Sequence, residues 1–350
     1  MNLNDLDLMK QQDPENMIGH INGLPEQLAA AWALGQRLAL PAWAGIRQIV
    51  VAGMGGSAIG ADLLAAYAEP QLQASLVTHR DYGLPAWVNA DTLVVCSSHS
   101  GNTEETLAAY AAAKAAGSKI LVVCTGGKLA ALAQQDGHPL WQFDHKGQPR
   151  TAVGYSFGLL LALVARLGLL PDPAAELAGA VAAMQAQQAA FLPEVPDTQN
   201  PAKRMGGQLI GRWVTMYGAG LMAPVARRWK AQINENSKAA ASFEVIPETN
   251  HNALQGLMQP EAQFNSSMAM FLLAAQDDAR NRKRTELTRN AVMVEGQNTD
   301  MVRAQGDTRM ANLWTALHYG DYVSFYLAMG YGYDPTPVPA LAAFKQAMAG

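Results

Sequence analysis

The chain has 350 residues, 49% of them apolar and 15% charged, with a formal net charge of −4. This describes an ordered globular protein long enough for two hydrophobic cores, and it excludes a disordered tail protein and a basic footprint for nucleic acid. The longest apolar run, "SFGLLLALVARLGLLP" (156–171), is interrupted by Arg166 and is too short to cross a bilayer, so it reads as a buried helix.

The chain opens on "MNLNDLDLMKQQDPENM", which is polar and acidic, unlike a secretory leader. Alternation of strands and helices follows. "IRQIVVAG" (46–53), "ASLVTH" (74–79), "DTLVVCSS" (91–98) and "KILVVCTGG" (119–127) are predicted strands; "SAIGADLLAAYA" (57–68) and "TEETLAAYAAAKAAG" (103–117) are predicted helices. Continuous apolar strands separated by helices predict a parallel sheet covered on both faces, with ligands beyond the carboxyl ends of the strands. Cys96 and Cys124 each close an apolar run and read as buried free thiols, which suits a cytoplasmic protein. "WQFDHKGQPRTAVGYSFG" (141–158) leads into helices running to about Leu192, and the proline-rich "LPEVPDTQNPAK" (192–203) reads as a linker. The pattern then restarts: strand "RWVTMYGAG" (212–220), helix "LMAPVARRWKAQINENSKAAA" (221–241), strands "SFEVIP" (242–247) and "FNSSMAMFLLAA" (264–275), and helix "MANLWTALHYGDYVSFYLAMG" (310–330). The expected architecture is two doubly wound, flavodoxin-like parallel-sheet domains, 1–192 and 193–350.

Two turns carry chemistry. In "VVAGMGGSAIG", Gly53, Gly55 and Ala58 fit the G-x-G-x-x-A dinucleotide pattern, although the acidic partner that pattern expects comes late, as Asp81 behind Arg80. The second turn, "SSHSGNTEET" (97–106), also joins a strand to a helix. A helix start offers unpaired N–H groups and partial positive charge, to which Ser98, Ser100 and Thr103 add hydroxyls, while Gly101 permits close backbone approach. Such a turn can hold a phosphate dianion without a fixed cation. Neither turn has the G-K-[ST] of a nucleoside triphosphate loop. Thr103 alone could instead cap the helix, a role that leaves Ser98 and Ser100 unused.

"GMGGSAIG" with "SHSGNTEET" resembles the sugar isomerase (SIS) domain, which binds phosphosugars. Further stretches, "KGQPRTAVGY" (146–155), "RWKAQINENSKAAA" (228–241), "PETNHN" (247–252), "HYGDYVSFYLA" (318–328) and "YDPTPVPALAAFK" (333–345), look in order like the bifunctional phosphoglucose/phosphomannose isomerases. Even "DPENMIGHINGLPEQLAAAW" (13–32) is similar to that family's N-terminal segment. The resemblance implies an aldose–ketose isomerase acting on glucose 6-phosphate and mannose 6-phosphate, with no cofactor and no metal. It implies phosphate binding at Gly56, Ser57, Ser98, Ser100 and Thr103. Glu235 would be the base, His251 the ring-opening group reaching in from the neighbouring subunit of a homodimer, Arg150 the stabiliser of enediolate charge, and Lys345 an aid at the sugar ring. Thr336 would leave room for the carbon-2 epimer, and the C-terminal helix would dock at the active site.

The sequence departs from the family pattern at His99, where Tyr is usual, and at Ala253, where Glu is usual. Those departures motivate a second reading, a non-catalytic phosphosugar sensor. A third, an NADP-dependent enzyme, rests on the first turn and Arg80. A zinc-dependent phosphomannose isomerase would need clustered ligands, and the seven histidines are scattered. No membrane or nucleic-acid partner is expected.

Overall fold

The computed structural model describes residues 2–349. In chain order its first elements are α1 (Leu6–Gln12), α2 (Met17–Asn22), α3 (Leu24–Arg37), β1 (Gln48–Ala52), α4 (Gly55–Ala68), β2 (Ser75–His79), β3 (Leu93–Ser98), α5 (Glu104–Ala115), β4 (Lys119–Cys124), α6 (Gly127–Asp136), β5 (Leu140–Gln142), α7 (Val153–Arg166) and α8 (Ala174–Gln188). They are followed by α9 (Pro201–Leu209), β6 (Trp213–Ala219), α10 (Ala223–Asn236), β7 (Ala241–Ile246), β8 (Ser267–Leu273), α11 (Ala279–Val294), β9 (Asn298–Arg303), α12 (Arg309–Tyr331) and α13 (Pro339–Ala349).

The chain divides into two compact units, Gly23–Ala182 and a second made of Met1–Asn22 with Ala183–Gly350. The middle unit holds a parallel sheet in the order β2-β1-β3-β4-β5. Its strands are apolar because both faces are covered: every residue of β3 is buried, and Val50 of β1 pairs in register with Val94. The order reverses between β1 and β3, which opens a crevice at their carboxyl ends. Both glycine-rich turns singled out in the sequence leave the sheet there. The second unit repeats the arrangement with four strands, all parallel, in the order β7-β6-β8-β9.

Several boundaries differ from the sequence expectation for local reasons. The helix expected over 221–241 stops at Asn236, because Ser237 Oγ donates to the Ser324 carbonyl and Asn234 Nδ2 to that of Ala239, and Lys238 turns to positive φ. The strand expected from residue 264 begins at Ser267, since 261–266 coil into a 3-10 turn. The proline-rich segment 192–203 is anchored: buried Asn200 caps α9 and donates to the Leu192 carbonyl, and Lys203 Nζ donates to that of Pro193. The sequence placed the domain junction at 192/193, whereas the compact units divide ten residues earlier. The N-terminal helices go with the second unit because His318 Nε2 lies 2.8 Å from the Ile21 carbonyl and Tyr322 Oη bonds Asn22 Oδ1 at 2.5 Å. α6, α9, α11, β5 and β9 had no counterpart in the sequence reading.

Cys96 and Cys124 are buried free thiols, and burial pushes the Cys96 thiol up to about 12. No helix among the described residues is long and apolar enough to cross a membrane.

Candidate active site

In the middle unit the two turns are stitched together by hydroxyl groups. Ser98 closes β3 almost fully buried; its Oγ donates to Thr103 Oγ1 at 2.9 Å and accepts from the Gly101 amide at 3.1 Å. Ser57, in the first turn of α4, accepts the His99 amide on its Oγ at 2.9 Å. The Ser57 carbonyl accepts from Ser97 Oγ and Ser156 Oγ at 3.3 and 3.1 Å. Ser100 stays exposed, its Oγ accepting from the Asn102 amide. Thr103 sits at the N-cap position of α5, but its side chain makes no capping bond. Its hydroxyl is engaged by Ser98 instead, so capping does not account for it.

Sequence reading missed Ser97 and a third turn, the one between β4 and α6. Thr125 donates to the His99 carbonyl from both its amide (3.0 Å) and its Oγ1 (2.6 Å). The Leu129 amide bonds the Gly101 carbonyl at 2.9 Å, and the Lys128 amide bonds Asn102 Oδ1 at 3.0 Å. The signal was the pair Gly126-Gly127, absorbed into the expected strand 119–127. Gly101 has φ +66, and a Cβ there would run into the Gly126 carbonyl. Gly101→Ala is therefore expected to destabilise the protein by about 2–3 kcal/mol and to weaken sugar-phosphate binding. Thermal melting checks the first effect, and an unchanged midpoint would refute the claim that the β3 turn rests on the β4 turn.

At Gly56 a Cβ would meet the Pro149 carbonyl, so the start of α4 abuts the 3-10 turn Pro149–Ala152 that carries Arg150. Arg150 is 2% exposed, which makes it a buried cation beside the turn and not a surface one. In the middle unit Gly56 thus adjoins the turn that carries Arg150, Ser57 is bonded to the β3 turn through His99, and Ser98 holds Thr103, while Ser100 is exposed. Arg80, on which the NADP reading depends, is paired with Asp62.

In the second unit, α10 carries Glu235, half-buried near the helix end. Its surroundings are pinned to α12. Arg228 and Asp321 form a buried two-pronged ion pair at 2.9 and 3.2 Å, Trp229 Nε1 donates to the Ala316 carbonyl, and Asn236 Nδ2 donates to Ser324 Oγ. Lys238 Nζ donates to the Asp334 carbonyl, and Asp334 Oδ1 accepts the Thr336 amide at 2.8 Å. The end of the Glu235 helix and the buried Thr336 loop therefore meet through Lys238. His251 lies on a separate loop as the exposed last residue of the 3-10 turn Glu248–His251; neighbouring Asn250 ties that loop to Thr288 of α11. Ala253 donates its amide to Asn252 Oδ1, while Asn252 Nδ2 donates to Glu248 Oε1. Lys345 is exposed on α13, as are Leu341, Phe344 and Met348. Among the described residues no group of three or more His, Cys, Asp or Glu could hold a metal ion.

Residues 198–348 match the model of the bacterial phospho-glucose isomerase C-terminal SIS domain. A bifunctional phosphoglucose/phosphomannose isomerase of Caldicellulosiruptor bescii is 38% identical over 335 residues, covering 95% of this chain and 99% of the relative. Its counterpart in Aquifex aeolicus is 33% identical, covering 85% of this chain and 89% of its own. Among solved structures, a hypothetical protein from Thermus thermophilus superposes with a TM-score of 0.75 at 16% identity over 99% of this chain and 94% of that one, a likeness of fold. The two parallel-sheet units are SIS-type, and with identity of this extent the chain belongs to the bifunctional phosphoglucose/phosphomannose isomerase family of enzymes.

Proposed function

We propose that the protein interconverts glucose 6-phosphate and mannose 6-phosphate with fructose 6-phosphate by proton transfer through a cis-enediol. The observation that carries this reading is the near end-to-end relationship to the bifunctional isomerases. The family-model span also contains Glu235, His251, Thr336 and Lys345.

The phosphate sits at the β1 and β3 turns, held by the amides at the starts of α4 and α5 and by the hydroxyls of Ser57, Ser98, Ser100 and Thr103. His251 opens the sugar ring by moving a proton between the ring oxygen and the carbon-1 hydroxyl. Glu235 takes the proton from carbon 2 of the aldose and delivers it to carbon 1, while the hydroxyl hydrogen on oxygen 2 ends on oxygen 1. Arg150 offsets the negative charge that develops on the enediol oxygens; its burial strengthens that interaction. Lys345 assists at the ring, and compact Thr336 accommodates the carbon-2 epimer. His251 comes from the partner subunit of a cytoplasmic homodimer, a reading its exposure in the single chain supports.

The test incubates purified protein with each aldose phosphate in EDTA and follows fructose 6-phosphate. Product from both is expected. Sugar-phosphate binding with no product from either would leave the sensor reading in its place.

A further inference from the structure

The turn "SSHSGNTEET" contains no lysine or arginine, and its one imidazole, His99, has no role in the reading above. In the structure the His99 ring lies edge-on to Phe143 and His145, with Nε2 2.9 Å from His145 Nδ1. It lines a recess of about 10 Å³, room for roughly one water, together with Gly56, Ser57, Ser97 and Pro149. Two imidazole nitrogens at this distance share one proton, so one ring donates and the other accepts.

His145 is held on its far side as well: its Nε2 lies 3.4 Å from Thr151 Oγ1, which donates to the Gln148 carbonyl at 2.8 Å. Each ring keeps one nitrogen outside the shared contact, so a neutral pair can take up one further proton.

We propose that His99 and His145 form a proton-accepting pair that charges the phosphate cradle only when it is filled: as a phosphate dianion enters, a proton from solvent binds to the imidazole pair, and the resulting imidazolium offsets the second negative charge of the ligand. The inference rests on the sugar-phosphate reading above. Burial lowers the proton affinity of His99, so the ring is neutral in the empty protein near neutral pH and the field of the dianion reverses this. The titratable groups around the pair are Tyr155 of α7, whose ring meets both His145 and Phe143 and whose phenol burial pushes up and keeps neutral, Asp144 and Lys146 on either side of His145, and Arg150 beside Thr151.

The test uses glucitol 6-phosphate, which has no carbonyl and cannot isomerise. Its binding to the full chain is measured by calorimetry at pH 7.5 in two buffers of different ionisation enthalpy. At that pH a phosphate monoester is already dianionic, so any proton taken up goes to the protein. Uptake of a substantial fraction of a proton is expected, with affinity falling about tenfold from pH 6.5 to 8.5. His99→Tyr and His145→Gln are each expected to abolish the uptake and to leave only the ligand's own pH dependence. Binding by the wild type without proton uptake would overturn this inference alone, as would uptake that survives in both variants. Absence of any binding would overturn the sugar-phosphate reading with it.

Discussion

Replacing Glu235 by glutamine is expected to lower the isomerisation rate about 10³-fold while binding of fructose 6-phosphate stays within a few-fold of the wild type. The amide keeps the shape of the side chain and its ability to accept a hydrogen bond, but it cannot take a proton from carbon. The position itself should be undisturbed. Glu235 is half-buried, and the helix end that carries it is held by neighbours, Asn236 and Ser237 bonding Ser324. The stability change should therefore be within about 0.5 kcal/mol. Rates from both aldose phosphates, with binding measured separately on the same preparation, check the claim. A variant retaining more than a tenth of the wild-type rate would remove Glu235 from the role of base. Loss of binding in step with rate would recast it as a substrate-holding group.

Asp321→Ala is expected to cost about 3–5 kcal/mol of stability. Arg228 and Asp321 are each nearly excluded from solvent, at 3% and 4% side-chain exposure. Removing the carboxylate leaves a guanidinium buried without its counter-charge, and water is poorly placed to replace it. For a unit of this size the melting midpoint should fall on the order of 10 °C. Replacing both partners with apolar residues, Arg228→Met with Asp321→Leu, should recover most of the loss, because the penalty lies in the orphaned charge. A single variant that melts within about 2 °C of the wild type would show that the pair contributes little. The pair joins α10 to α12, so activity should fall with stability in the single variant.

What was legible in the sequence followed from burial. Strands such as "TLVVCSS" and "KILVVC" are covered on both faces and announce themselves by continuous apolar residues. The surface elements gave no such signal. α11 reads "ARNRKRTELTRNAVMV", with buried residues only at Thr285, Thr288 and Val292, and β9 lies at the sheet edge as the largely polar "NTDMVR". Of the site, the hydroxyl cluster could be read because three serines and a threonine crowd one turn. The partnership of His99 could not be read, because His145 is 46 positions away and reaches it only through the order of strands β3, β4 and β5. The pairing of Ser98 with Thr103 was hidden as well, since a threonine before a helix looks like a cap whatever its hydroxyl does.

The grouping of α1 and α2 with the C-terminal half bears on how the chain is made. On the ribosome, Gly23–Ala182 emerges complete and can close around its own five-stranded sheet while the rest is still being synthesised. Residues 1–22 cannot settle so early: the His318 and Tyr322 contacts that anchor Ile21 and Asn22 do not exist until α12 has left the exit tunnel. α1 and α2 therefore take up their packed positions only once α12 is available to receive them.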